Sequence, residues 1–247
     1  MNPIKQAYLI FAAFLLLGMP VSAQFTTEEK IDSTNANDIQ DQKMQLTVLD
    51  YKSKKYMEAD VMIKGLNPRK TVVLKDFTDS TLILKKYRLY TVSVIKEGYM
   101  YFAHKFWPDE AEVHYERIEL KPLAVGLKTS IEDITFLGDE TQIYHKSVPA
   151  LEELISFLTL NPGVSICVIG HANGPVTAEK KNSDSFYRKA SEKRAQAVVD
   201  YLIQHGIEKE RLTSLGKGNK EMIYPDPQTE WQVGANRRIE IEITAIQ

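Results

Sequence analysis

The sequence predicts two folded units in series: an all-β antiparallel sandwich, then an α/β domain whose mixed sheet is packed by helices. Three observations carry this reading. Residues 44–122 alternate apolar and polar positions with a period of two, residues beyond 130 alternate strand-like runs with helical stripes, and the grammar changes over 123–130. A chain of 247 residues has core enough for both units. At 43% hydrophobic, 26% charged and a net charge of −2, its composition is that of a globular protein without an electrostatic footprint for nucleic acid. The single cysteine, Cys167, excludes an internal disulfide and a Cys-rich metal site; between Ile166 and Val168 it reads as a small core residue.

Residues 1–23 have the grammar of a secretory signal peptide: Lys5, an apolar run over 7–19, then the small-residue cleavage site Val21-Ser22-Ala23. That run is short for a membrane span, which needs about 20 apolar residues. No cysteine follows it to take a lipid, so the mature chain is expected to be exported and soluble. Residues 24–43 are polar and aperiodic, the composition of a flexible leader.

The sandwich, residues 44–122, is read from short alternating runs such as MQLTVL (44–49), LYTVSVI (89–95) and YERIEL (115–120), with Asp, Gly, Asn-Pro and Lys-rich breaks between them. The phrases EADVMIKG, YTVSVIKEGY and ERIELKPLAVG resemble the prealbumin-like, or carboxypeptidase-regulatory-like, modules of exported bacterial proteins. Tyr99, Tyr101, Phe102, Phe106 and Trp107 read as a hairpin with half its rings in the core; an aromatic binding face is the other reading. His104 and His114 lack the close His or Asp spacing of a metal site, and no metal or cofactor is expected.

The second unit, residues 123–247, opens with a strand over 131–136 (IEDITF). Ser147 can cap the following helix, with Pro149 in its first turn and Leu151, Leu154, Ile155 and Leu158 as its apolar stripe. Asn161-Pro162-Gly163 stops it. The strand 164–169 is apolar on both faces, as in a sheet covered on both sides. A Gly170-His171-Ala172-Asn173 corner and a long polar loop lead to a helix over 191–205, closed by Gly206 and Ile207. Strands near 212–215 and over 238–243 complete the layer.

These residues carry a resemblance. ITF on the first strand, the Gly170-His171 corner, Ser191-x-x-Arg194-Ala195, YLIQHGI, RLTSLGKG and Asn236-Arg237-Arg238-Ile239-Glu240-Ile241 follow the order of the OmpA-like family over residues 131–243. The resemblance implies an OmpA-like fold and non-covalent binding of peptidoglycan through the diaminopimelate of its stem peptide. An arginine fork suits that ligand's carboxylate, and Arg194 matches the family's arginine. Where the family has an aspartate for the ammonium, this chain has Asn173, and Tyr187 replaces an asparagine four residues before Ser191. Losing one ionic hydrogen bond costs about 1–3 kcal/mol, or roughly 5- to 150-fold in affinity. Asp184, in a loop longer than the family's, is a candidate to return the missing carboxylate. Asn236, Arg237 and Arg238 are expected to pin the last strand, with Arg237 a further candidate ligand contact.

The implied protein is a periplasmic adaptor. It docks on peptidoglycan, holds an envelope protein partner through its sandwich, and reaches the outer membrane through that partner. The alternative is a structural interaction protein whose OmpA-like domain has lost the wall ligand. No nucleophile with a matched base and no close acid pair points to an enzyme.

Overall fold

The computed structural model describes residues 41–67, 70–86, 88–108, 111–131, 133–137, 141–174 and 184–247. The expected signal peptide, the expected leader as far as residue 40 and most of the loop before Asp184 lie outside them. Seven strands form the first unit: β1 (Asp41–Asp50), β2 (Ala59–Asn67), β3 (Lys70–Phe77), β4 (Asp79–Lys85), β5 (Tyr90–Ile95), β6 (Phe102–Phe106) and β7 (Val113–Leu120). Residues 41–43, expected in the leader, already belong to β1. The strands make two sheets, ordered β4-β1-β7 and β3-β2-β5-β6. Alternation turns Met44, Leu46 and Val48 of β1 into the same core as Val61, Ile63, Val92 and Val94 of the other sheet.

One pairing departs from the antiparallel expectation. β1 runs parallel to β7, with Leu46 opposite Glu116 and Val48 opposite Ile118. Alternation specifies which face of a strand is buried and leaves strand direction open, so a parallel neighbour has the same period as an antiparallel one.

The second unit contains β8 (Lys128–Ile131), α1 (Val148–Leu160), β9 (Val164–His171), α2 (Asp184–Gln204), β10 (Leu212–Gly218), α3 (Glu230–Asn236) and β11 (Ile239–Ile246). Its sheet is mixed, in the order β10-β9-β11-β8, with β9 and β10 parallel and β11 antiparallel to both of its neighbours. The expected strand 131–136 ends instead at Ile131. Beyond it Asp133 turns to Lys105 of β6 at 2.7 Å, and the Thr135 N–H donates to Ser147 Oγ at 2.9 Å. Ser147 therefore stands at the start of α1 without making the expected cap bond. The stripe of α1 is buried at Leu151, Leu154, Phe157 and Leu158, and Asn161 Nδ2 closes the helix on the Phe157 carbonyl at 2.9 Å.

Val164, Ile166 and Val168 of the central strand are buried in the core; on the opposite face Ser165 and Cys167 are half-buried, while Ile169 and His171 are buried. The sheet's second face carries the Lys128–Glu242 ion pair and the exposed Leu215. The two-sided covering read from the apolar run 164–169 holds at Ile169 and is only partial at Ser165 and Cys167.

Helix α2 begins seven residues before the expected Ser191 and ends as expected, with Gly206 at φ 93° and the Ile207 N–H on the Leu202 carbonyl at 3.1 Å. Helix α3 lies in what reads as a Pro-rich loop, opened by a capping box in which Thr229 Oγ1 and the Gln232 N–H meet at 3.3 Å.

The two units share a core. Ile95, Met100 and Tyr101 of the first pack among α1, α2 and the second sheet. At their junction Tyr101 Oη donates to Glu153 Oε2 at 2.8 Å, and Lys64 Nζ lies 3.1 Å from the other Glu153 oxygen. The Gly98 N–H donates to Asn161 Oδ1 at 2.8 Å. Burial, helped by the Glu153 charge, pushes the Tyr101 hydroxyl well above its ordinary pKa and keeps it a donor. Of the aromatic hairpin, Tyr101 and Phe106 are buried and Trp107 is exposed.

Candidate functional site

The corner is held by close packing against α2. A side chain at Gly170 would overlap the Ser191 carbonyl, and one at Gly216 would come within 2.5 Å of the Arg188 carbonyl. Ser191 Oγ donates to the Arg188 carbonyl at 2.9 Å and accepts the Gly218 N–H at 2.9 Å. The Gly218 carbonyl in turn accepts the Ala172 N–H at 3.0 Å. Through Gly218, the second turn of α2 and the corner after β9 are fixed to the same end of the sheet.

Asn173 follows, 8% exposed, and among the described residues neither its Nδ2 nor its Oδ1 has a hydrogen-bond partner. A buried amide so placed forfeits on the order of 1–3 kcal/mol per polar group. It presents both a donor and an acceptor. The neighbouring guanidinium is that of Arg237, whose Nε donates to the Asn173 carbonyl at 3.2 Å. Tyr187, buried in α2, lies against Gly174, where a Cβ would meet its hydroxyl at 2.5 Å.

Arg194 lies one helical turn beyond Ser191, half-buried, with its guanidinium carbon 5.5 Å from the centre of the Phe136 ring. Phe136 is held by a bridge to Ile143. Asp184 is the first residue of α2 and accepts from Asn219 Nδ2 at 3.0 Å. Ten residues of helix separate it from Arg194, a rise of about 15 Å, too long for the adjacent carboxylate and ammonium of one amino acid. Asn236 pins the loop before α3, bonding the Tyr224 N–H at 2.9 Å and the Tyr224 carbonyl at 2.8 Å. Arg238 reaches the Glu221 carbonyl at 3.1 Å and Glu240 Oε1 at 2.7 Å. Burial would raise the Glu240 carboxyl, but His171 and Arg238 outweigh it and hold the pKa at about 2.

Sequence reasoning missed Phe136 as the partner of Arg194 and Gly218 as the link between helix and corner. Only the clustering of glycines at 216 and 218 hinted at the second.

The family comparison falls on this unit: the OmpA family's sequence model matches residues 135–237. These residues are an OmpA family domain. The domain is 30% identical over 114 residues to outer membrane porin F of Pseudomonas aeruginosa, covering 46% of this chain and 31% of that protein. It is 29% identical over 125 residues to outer membrane protein A of Salmonella typhi, covering 47% of this chain and 34% of that one. The chain therefore spans about a third of the length of these relatives. Among solved structures, the OmpA-like domain of FopA1 from Francisella tularensis is 20% identical, with 64% of this chain and 76% of that one covered at a TM-score of 0.38. The cell wall anchor of the T6SS from Pseudomonas aeruginosa is 24% identical, with 48% and 79% covered at a TM-score of 0.39.

Proposed function

We propose that the OmpA family domain binds peptidoglycan non-covalently through the diaminopimelate of the stem peptide, and that the chain tethers an envelope partner to the wall. The observation that carries this is the buried Asn173 amide, unpaired among the described residues, at a corner fixed to the helix of Arg194. A ligand bearing an ammonium, a carboxylate or a peptide group would supply the bonds that amide lacks. In this reading Asn173 accepts from the ligand's ammonium, Arg194 takes its carboxylate, and Arg237 holds the corner in place through the Asn173 carbonyl. The protein acts in the periplasm, exported by the signal over residues 1–23. Its seven-stranded unit, the prealbumin-like module of the sequence reading, faces the protein partner.

A second reading, in which the domain has given up the wall and keeps only protein contacts, is favoured by Tyr187 packed against Gly174. The two are separated by titrating the protein with a soluble diaminopimelate-containing stem peptide while following the Asn173 side-chain amide by NMR. A saturable shift of that amide, absent in Arg194→Ala, is expected. An unmoved amide in a folded protein would leave the second reading.

A further inference from the structure

At the same corner we propose that His171, Glu240 and Glu221 form a divalent metal site of the zinc class. His171 closes β9 and its side chain is 1% exposed, yet among the described residues neither ring nitrogen makes a well-formed hydrogen bond, and Nε2 has only an ion-pair approach to Glu240. Its Nε2 lies 3.2 Å from Glu240 Oε2. Glu221, in the turn after β10, contributes a third ligand atom, and the three lie within 4.8 Å of one another.

The spacing suits a metal. Ligand atoms about 2.0–2.2 Å from a tetrahedral zinc ion stand roughly 3.3–3.6 Å apart. The His171–Glu240 gap is already close to this, and Glu221, with a side chain 44% exposed, can close the remainder by rotation. One imidazole and two carboxylates are ligands zinc accepts, and they leave a fourth position for water. Each carboxylate is steadied by a cation on its Oε1: Arg238 on Glu240 at 2.7 Å, Lys217 on Glu221 at 2.7 Å. The competing occupant is a proton on His171, making an imidazolium pair with Glu240.

The metal site is independent of the wall-binding reading, since none of the three residues is a proposed wall contact. The ligands lie 50 and 19 positions apart in the chain, which is why no metal spacing is visible in the sequence. The test uses the full chain, tag-free and stripped with a chelator, titrated with Co2+ in visible absorption and with Zn2+ in calorimetry. One equivalent of Co2+ is expected to give d–d bands that Zn2+ abolishes. Glu221→Gln, on an accessible side chain that the fold tolerates, should weaken binding more than about tenfold, the loss that even an outer-shell change brings. Binding that Glu221→Gln leaves untouched overturns the proposal. So does an absence of Co2+ and Zn2+ binding by the folded wild type.

Discussion

Gly170 sets how closely α2 can approach the sheet, because a methyl group there would overlap the Ser191 carbonyl. The backbone cannot move aside without breaking the Ser191–Gly218 bond that fixes the corner. Gly170→Ala is therefore expected to cost about 1–3 kcal/mol as an overpacking change, read as a lower urea midpoint at unchanged slope. A second residue prediction concerns acid. Glu240 has a folded pKa of about 2, below its ordinary 4.5, so its contribution is present above the unfolded value and is lost as pH falls between the two. Glu240→Gln should make stability depend less steeply on pH over that window, measured as urea midpoints at about pH 5 and about pH 3. Equal slopes in mutant and wild type would show that Glu240 does not carry the acid response. Arg194, Asn173 and Gly170 were legible in the sequence because each stands in a recognisable phrase. The His171–Glu240 pairing was not legible, because two strands must meet before it exists.

At the scale of elements, periodicity found most of the second unit, and its failures have local causes. The stripe Leu151, Leu154, Ile155 and Leu158 predicts α1; the structure buries the three leucines and leaves Ile155 half-buried. The strand expected over 131–136 stops early because Asp133 is drawn to Lys105 and Lys64, residues more than twenty-five positions away. Burial raises the Asp133 carboxyl, but the two lysines outweigh it and leave its pKa below the ordinary range. No local pattern could carry that information. Helix α3 is seven residues long, too short to display an apolar stripe, and depends on its capping box. Thr229→Ala should cost about 1 kcal/mol and loosen the Tyr224 loop pinned by Asn236, seen as faster amide exchange at Tyr224.

For the whole molecule, the junction decides whether the two units move as one. Tyr101 is 2% exposed, its ring tilted 54° to that of Phe157 with ring centres 6.3 Å apart, and bonded to Glu153. Lys64 and Lys105 of the first unit converge on Asp133 and Glu153 of the second. Such a junction predicts a single cooperative unfolding transition. Tyr101→Ala, which removes a buried ring at a cost of about 3–5 kcal/mol and leaves Glu153 Oε2 without the Tyr101 donor, should split that transition in two by calorimetry. The change of period over 123–130 is where the sequence alone sets a boundary between units. It could not place the junction, whose partners are brought together only by folding.

The measurement that tests the central claim most directly is co-sedimentation of the protein with diaminopimelate-type peptidoglycan sacculi, beside Arg194→Ala and Asn173→Asp. The account predicts that the wild type sediments with the wall and that Arg194→Ala stays in solution. Asn173→Asp should bind roughly 5- to 150-fold more tightly, the value of one restored ionic hydrogen bond. A folded wild type that stays in solution, with binding appearing only in Asn173→Asp, would contradict it: the fold would then have outlived its ligand.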